Sequence, residues 1–107
     1  MLSIEFILTS NSTLHLLYTG STKVVPDPNT FADIIFKFKI NDILLDLPFT
    51  RTGPYKGQSE YDYIPATLQY VLINMGPGLY NISVQALSEM SGNFVRGNVF
   101  TITAYPI

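Results

Sequence analysis

The chain has 107 residues, a net charge of −2 and no cysteine. This length predicts a single domain, residues 1–107, that is large enough to fold without a disulfide or a metal. The missing cysteine excludes disulfides, thiol catalysis and thiolate metal sites, and the six scattered basic residues do not predict nucleic-acid binding.

The low charge is the most informative feature of the composition. Only 13% of the residues are charged, against about 25% in an average soluble domain, whereas 47% are hydrophobic. Two explanations remain open: a β-rich surface that uses Ser, Thr and Asn instead of charge, or a surface that other subunits cover.

The first third of the chain predicts two strands and a loop. Residues 2–8 and then 13–18 alternate between apolar and polar side chains, which is the pattern of a half-buried strand, with a Ser-Asn-Ser turn at 10–12. Residues 20–30 contain Pro-Asp-Pro-Asn, and prolines disfavour both a helix and a central strand. We therefore expect a loop there.

Residues 34–49 predict a tight hairpin. Apolar residues alternate along 34–40 and again along 43–49, and Asn-Asp at 41–42 is typical of a two-residue turn with positive φ. We expect the apolar faces of both strands to point into the core, with opposite charges paired on the outer face. The expected partners are Ile40 with Ile43, Phe38 with Leu45, Phe36 with Leu47, and Lys37 with Asp46.

The second half predicts three further strands. Residues 50–63 are rich in Gly, Pro and Tyr and predict a loop. Residues 66–73 suit a short helix or a strand, and we favour a strand because of the aromatic and β-branched residues. A Gly-Pro-Gly turn at 76–78 begins an alternating strand, and a loop at 88–97 precedes a last strand in which 100, 102 and 104 point inward.

Seven short strands without a long helix predict an all-β antiparallel sandwich. The segment M-G-P-G-L-Y-N-I-S-V-Q-A-L at 75–87 resembles the immunoglobulin-like superfamily, and fibronectin type III domains in particular. The resemblance implies an Ig-like sandwich of about seven strands. It also implies that Tyr80 is a tyrosine-corner residue, with its hydroxyl bound to the turn backbone. Such a fold does not name a function.

No set of residues predicts catalysis, a cofactor or a metal. His15 is the only histidine, and the alternation places it on the outer face of a strand without the spacing of a catalytic triad. Asp27, Asp42 and Asp46 do not form a calcium-binding loop, and Gly76-x-Gly78 precedes no phosphate-binding helix. We therefore expect a non-enzymatic protein.

The long predicted connections, 19–30, 50–64 and 88–97, fall at one end of an antiparallel sandwich, where Ig-like modules place their binding loops. Tyr and Arg are enriched at binding hot spots. The alternative is that the loop tyrosines fold back onto the sandwich edge. The predicted partner-binding residues are Arg51, Tyr55, Lys56, Tyr61, Tyr63, Phe94 and Arg96.

Four large aliphatic residues fall on the faces opposite to the core stripes of their strands, where a partner subunit would cover them. They are Ile7, Leu17, Ile35 and Leu44.

These patterns predict a structural or interaction protein whose partners are other protein subunits. We expect a virion component (a capsid, decoration or tail protein), cytoplasmic until assembled, because residue 1 is Met and no signal peptide or membrane-spanning segment follows. The alternatives are a secreted or cell-surface adhesion or pilus-type domain, and a small carbohydrate-binding module in which the loop tyrosines stack on sugar rings.

Overall fold

The computed structural model describes residues 2–24, 32–55, 61–87 and 94–107. These residues form two antiparallel sheets: sheet A, in the order β1-β6-β3-β4, and sheet B, in the order β5-β2-β7. The predicted all-β sandwich is confirmed, and residues 66–73 form a strand, as we favoured. The strands are β1 (Ser3–Leu8), β2 (Ser12–Val24), β3 (Ala32–Ile40), β4 (Ile43–Tyr55), β5 (Tyr61–Met75), β6 (Gly78–Leu87) and β7 (Phe94–Pro106).

The core lies between the sheets and follows the predicted alternation on β1, β2, β3 and β6. Tyr18 on β2 and Phe36 on β3 meet across the sandwich with ring centroids 5.2 Å apart, and Phe38 stacks on Phe100 of β7 at 5.8 Å. The buried apolar side chains are Leu8, Leu14, Leu16, Tyr18, Ile34, Phe36, Phe38, Ala66, Leu68, Ile82 and Val84.

The terminal strands differ from the immunoglobulin arrangement. In that arrangement the first strand pairs with the second and the last strand with the sixth. Here β1 pairs with β6 and β7 pairs with β2, although the central pairs β2–β5 and β3–β6 are those of an Ig-like sandwich. The chain is therefore compatible with an Ig-like fold, but its first and last strands have exchanged sheets.

The three predicted loops are shorter than the sequence indicated. β2 continues to Val24, which lies opposite Tyr61, and Lys23 lies opposite Phe94, so that all three strands of sheet B extend into the predicted loops. β4 likewise continues to Tyr55 through Gly-Pro at 53–54, because an edge strand tolerates a missing N–H on its open side. At these strand ends, the hydrogen bonds between paired strands outweigh the local preference of the residues for a turn. The other residues of the three predicted loops, 25–31, 56–60 and 88–93, lie outside the described residues.

The β3–β4 hairpin begins as predicted and then departs from the predicted register. Ile40 pairs with Ile43, and Asn41 and Asp42 have positive φ values of 46° and 69°. Between Lys37 and Lys39 the pairing shifts. Lys39 still pairs with Leu44, but Lys37 lies opposite Phe49 and Phe36 opposite Thr50. The predicted pairing of Phe36 with Leu47 and of Lys37 with Asp46 is therefore wrong. A proline at 48 has no N–H to give to the ladder, which favours a break in regular pairing at this point.

Candidate interaction surface

The exposed apolar side chains of β4 form the candidate site. β4 is an edge strand of sheet A, and four of its large apolar residues have exposed fractions between 41% and 69%. We call this set the β4 apolar edge; it consists of Ile43, Leu44, Leu47 and Phe49. Several large apolar side chains exposed along one edge strand favour a protein–protein contact.

Part of this surface is made of residues that the sequence predicted to lie in the core. The alternation predicted that residues 43, 45, 47 and 49 point inward together. Only Leu45 packs against the core. Ile43 keeps its predicted partner but is exposed next to the turn, and the register shift changes the pairing of the strand beyond Leu44. Pro48, inside an otherwise alternating run, was the signal in the sequence that could have revealed the exposed edge.

A shallow groove on the outer face of sheet A adjoins the β4 apolar edge. Its walls combine Phe49 and Ile35 with Lys37, Asp46 and Arg51. The Lys37 Nζ lies 3.9 Å from the Asp46 Oδ1, so the predicted charge pair is present although the two residues are not register partners. The Asp46 carboxylate is 99% exposed, so solvent screens this pair strongly. An apolar centre with charged groups around it is the composition of a protein-binding surface.

Arg51 is the predicted site residue that the structure places at this surface. It lies on β4 opposite Ile35 and lines the groove beside Phe49. Arg is enriched at interface hot spots because its planar guanidinium offers five donors and an apolar stem.

The backbone of five other predicted site residues lies in strands rather than loops. Tyr55 ends β4 opposite Ala32, and Tyr61 and Phe94 begin β5 and β7. Because Tyr61 lies opposite Val24 and Phe94 opposite the preceding residue of β2, the ends of these strands meet at one end of sheet B.

The three remaining predicted site residues are placed as follows. Tyr63 lies within β5, and Arg96 lies opposite Ser21 in the β7 ladder. Lys56 lies outside the described residues. The strand pairing therefore brings strand ends together near the predicted binding end. Arg51 instead lines the groove beside the β4 apolar edge.

The four aliphatics predicted to be exposed fall into two pairs. Ile7 and Leu44 are exposed, as predicted. Leu17 and Ile35 point outward but are half-buried, because each lies on a central strand with neighbours on both sides. Ile7 also lies directly opposite the exposed Leu79 of β6.

The described residues carry few groups that suit catalysis. His15 lies on the outer face of sheet B, with its Nε2 3.4 Å from the Gln69 Oε1. No three acidic or histidine side chains converge on a possible metal position within the described part of the chain, and Asp27 lies outside it. None of the described residues forms a helix long and apolar enough to cross a membrane.

Comparison with protein-family models, with curated proteins and with solved structures found no match to this chain. The function therefore has to be argued from the surfaces of this chain alone. Among those described, the β4 apolar edge combines exposed apolar side chains, open strand backbone and an adjoining charged groove.

Proposed function

We propose that the chain is a non-enzymatic structural subunit that docks into a larger protein assembly through the β4 apolar edge. The observation that carries the proposal is the exposure of Ile43, Leu44, Leu47 and Phe49 on one edge strand. Covering a large apolar side chain contributes about 1.5 to 3 kcal/mol, so that burying several of them can drive association.

The backbone of β4 supports the same function. An edge strand presents unpaired N–H and C=O groups that can pair with another strand, and its side chains then supply specificity. The groove at Phe49 and Arg51 gives this edge an aromatic and a cationic contact of the kinds enriched at hot spots. We propose that a strand or sheet edge of another subunit binds here.

The setting that we propose is a virion, with the chain acting as a capsid, decoration or tail protein that is cytoplasmic until assembled. An all-β sandwich with few charges and an apolar edge suits a subunit held among other subunits. The partners would be other protein subunits, with neither nucleic acid nor lipid required at this edge.

Matched substitutions test this proposal when the variants are produced in the organism that naturally makes the protein. Leu47 and Leu79 are exposed to similar extents, 69% and 61%, but lie on different strands. In sedimentation of a gently lysed sample, we expect wild type and Leu79→Ser to migrate with a large particle. We expect the double variant Leu47→Ser/Phe49→Ser to remain in the slow fraction although its circular dichroism is that of wild type.

Two outcomes would contradict the proposal. One is a wild-type chain that sediments only as a free small protein. The other is a folded double variant that still migrates with the particle, which would show that the β4 apolar edge is not the docking surface.

A further inference from the structure

Sheet A has two edge strands, β1 on one side and β4 on the other. Among the described residues, β1 pairs with β6 and β4 pairs with β3, and the outer side of each strand carries no ladder. Every neighbouring pair in this sheet is antiparallel, so the chain direction reverses at each of the steps from β1 to β4. β1 and β4 therefore run in opposite directions. If β1 of a second copy lay beside β4 in the same orientation, the antiparallel order would continue unchanged.

Sheet B does not have this property. Its two outer strands, β5 and β7, run in the same direction because both are antiparallel to β2. A copy added in the same orientation would bring β5 and β7 together in parallel, and parallel pairing is slightly less stable per residue. Sheet A is therefore the sheet whose pairing pattern a second copy extends.

The outward side chains of the two edges of sheet A match in a single register. β1 presents Glu5 and Ile7 on the outer face, and both are exposed. β4 presents Phe49 and Arg51 on the same face, and both are exposed as well. In an antiparallel ladder, the register that sets Glu5 opposite Arg51 also sets Ile7 opposite Phe49. One register thus pairs opposite charges and covers one exposed apolar side chain with another.

The charges beside β4 favour the same occupant. Glu5 is the only charged residue of β1. The groove beside Phe49 is lined by two cations, Lys37 and Arg51, and by one carboxylate, that of Asp46. The Asp46 carboxylate is 99% exposed, so solvent weakens its interaction with the two cations. The carboxylate of Glu5 would balance the positive charge that remains in the groove.

We propose that the occupant of the β4 edge is β1 of a second copy of this chain, so that copies join edge to edge into a continuous sheet A. Two different edges meet in this contact, and repeating it gives an open array or a closed ring. Pro48, which has no N–H, falls opposite Leu8 at the end of β1 in this register, so it removes at most one hydrogen bond from the new ladder. The inference rests on the proposed docking at β4 and names its partner.

The size of the contact predicts that it is weak between two isolated copies. β1 has six residues, which is about 20 Å at about 3.3 Å per residue. With the two sheets about 10 Å apart, an edge contact of this length covers roughly 200 to 300 Å² per copy, well below what a stable pair needs. Main-chain hydrogen bonds supply much of the affinity when a strand is added to a sheet edge. A copy inside an array makes two such contacts, one at each edge.

Sedimentation and light scattering of the purified chain over a concentration series test this contact. Because two different edges meet, the mean mass is expected to rise past that of a dimer at high concentration. Glu5→Arg and Arg51→Glu are each expected to raise the dissociation constant of the contact roughly tenfold, since each sets like charges opposite one another. The double variant Glu5→Arg/Arg51→Glu exchanges the two charges and is expected to associate as wild type does.

Mixing the two single variants is expected to restore association too, because the new arginine of one variant meets the new glutamate of the other. Unfolded proteins could not recover by mixing. If a single variant does not fold, Ile7→Lys and Phe49→Glu replace the pair, since these two residues lie opposite each other in the same register. Thr19→Lys, on the exposed outer face of the central strand of sheet B, is the control and is expected to associate as wild type does.

Three outcomes would overturn the inference. The first is a wild-type chain that stays monomeric at all concentrations. The second is association that stops at a dimer and depends on Arg51 but not on Glu5, which would show that β4 pairs with itself. The third is a folded double variant, and a mixture of single variants, that stay monomeric.

Failure of this inference and failure of the proposed function give different results. A purified chain that never associates, together with loss of particle docking in the Leu47→Ser/Phe49→Ser variant, would overturn the pairing with β1 of a second copy. It would leave the β4 apolar edge as the docking surface for a different subunit.

Discussion

The hydroxyl of Tyr80 donates a 2.7 Å hydrogen bond to the carbonyl oxygen of Gly76, four residues earlier in the chain. The ring of Tyr80 stacks on Phe6 of β1, with centroids 5.7 Å apart. Tyr80 therefore connects three parts of the fold: the β5–β6 turn through its hydroxyl, β6 through its backbone and β1 through its ring. The tyrosine-corner contact that the resemblance implied is present.

Replacing Tyr80 with Phe is expected to lower the free energy of unfolding by about 1 to 3 kcal/mol, because the Gly76 carbonyl loses its partner in a partly buried position. Urea denaturation measures the difference. The exposed Tyr105 provides the matched control, and Tyr105→Phe is expected to change stability by no more than about 0.5 kcal/mol. Equal effects of the two substitutions would show that the hydrogen bond does not stabilise the fold.

A substitution at Gly20 tests the packing around Tyr18. A Cβ at Gly20 would overlap the Tyr18 hydroxyl and lie 3.1 Å from the Asn98 Oδ1, which accepts the hydroxyl hydrogen bond of Tyr18. Gly20→Ala is therefore expected to destabilise the chain by about 1 to 3 kcal/mol in thermal or urea unfolding. Gly76→Ala is the control, since the nearest atom to its Cβ would be 3.9 Å away. A neutral Gly20→Ala would contradict the close contact.

The stability of the protein is expected to fall at high pH because of Tyr18. Burial raises the pKa of the Tyr18 hydroxyl above its ordinary value of 10.0, since the charged phenolate would lose its hydration. The folded state then holds this proton more tightly than the unfolded state. The resulting stability is complete below about pH 10 and is lost as the pH rises through the folded pKa.

Melting temperatures between pH 8 and pH 11 measure this dependence. Tyr18→Phe removes the titrating group, so its melting temperature is expected to fall less steeply above about pH 10 than that of wild type. Parallel curves for the two proteins would show that Tyr18 is not the group responsible.

The two hairpin-turn residues are expected to respond in opposite ways. The side-chain oxygen of Asn41 accepts a 2.8 Å hydrogen bond from the N–H of Asn81, and its own N–H binds the Asn81 carbonyl. Asn41→Ala is expected to cost about 1 to 3 kcal/mol in urea unfolding, because it removes that acceptor at a positive φ. Asp42→Gly is expected to be neutral or stabilising, since glycine adopts φ near 69° without steric cost. A destabilising Asp42→Gly would argue against this turn geometry.

The sequence by itself determined the class of fold and much of the core. The alternation of apolar and polar residues on β1, β2, β3 and β6 predicted which side chains are buried, because a strand with one buried face needs apolar residues at every second position. The Asn-Asp turn and Tyr80 were also predictable, because each depends on residues close in sequence: positive φ at two neighbouring positions, and a hydroxyl four residues from its carbonyl partner.

Tertiary structure alone decided which strands become neighbours and where pairing ends. Nothing local to Val24 or Tyr61 predicts their pairing, which depends on hydrogen bonds between segments 37 residues apart. The exchange of β1 and β7 between sheets is likewise a long-range choice.

The β4 apolar edge also depends on pairing between strands, which the local sequence does not specify. The β4 apolar edge has the sequence pattern of a core strand, and it became a surface because the pairing with β3 shifts past Lys39 and leaves Leu47 and Phe49 outside the core. Burial is decided by what lies opposite a residue across the sheet and the sandwich, and a strand's own alternation does not specify its neighbours.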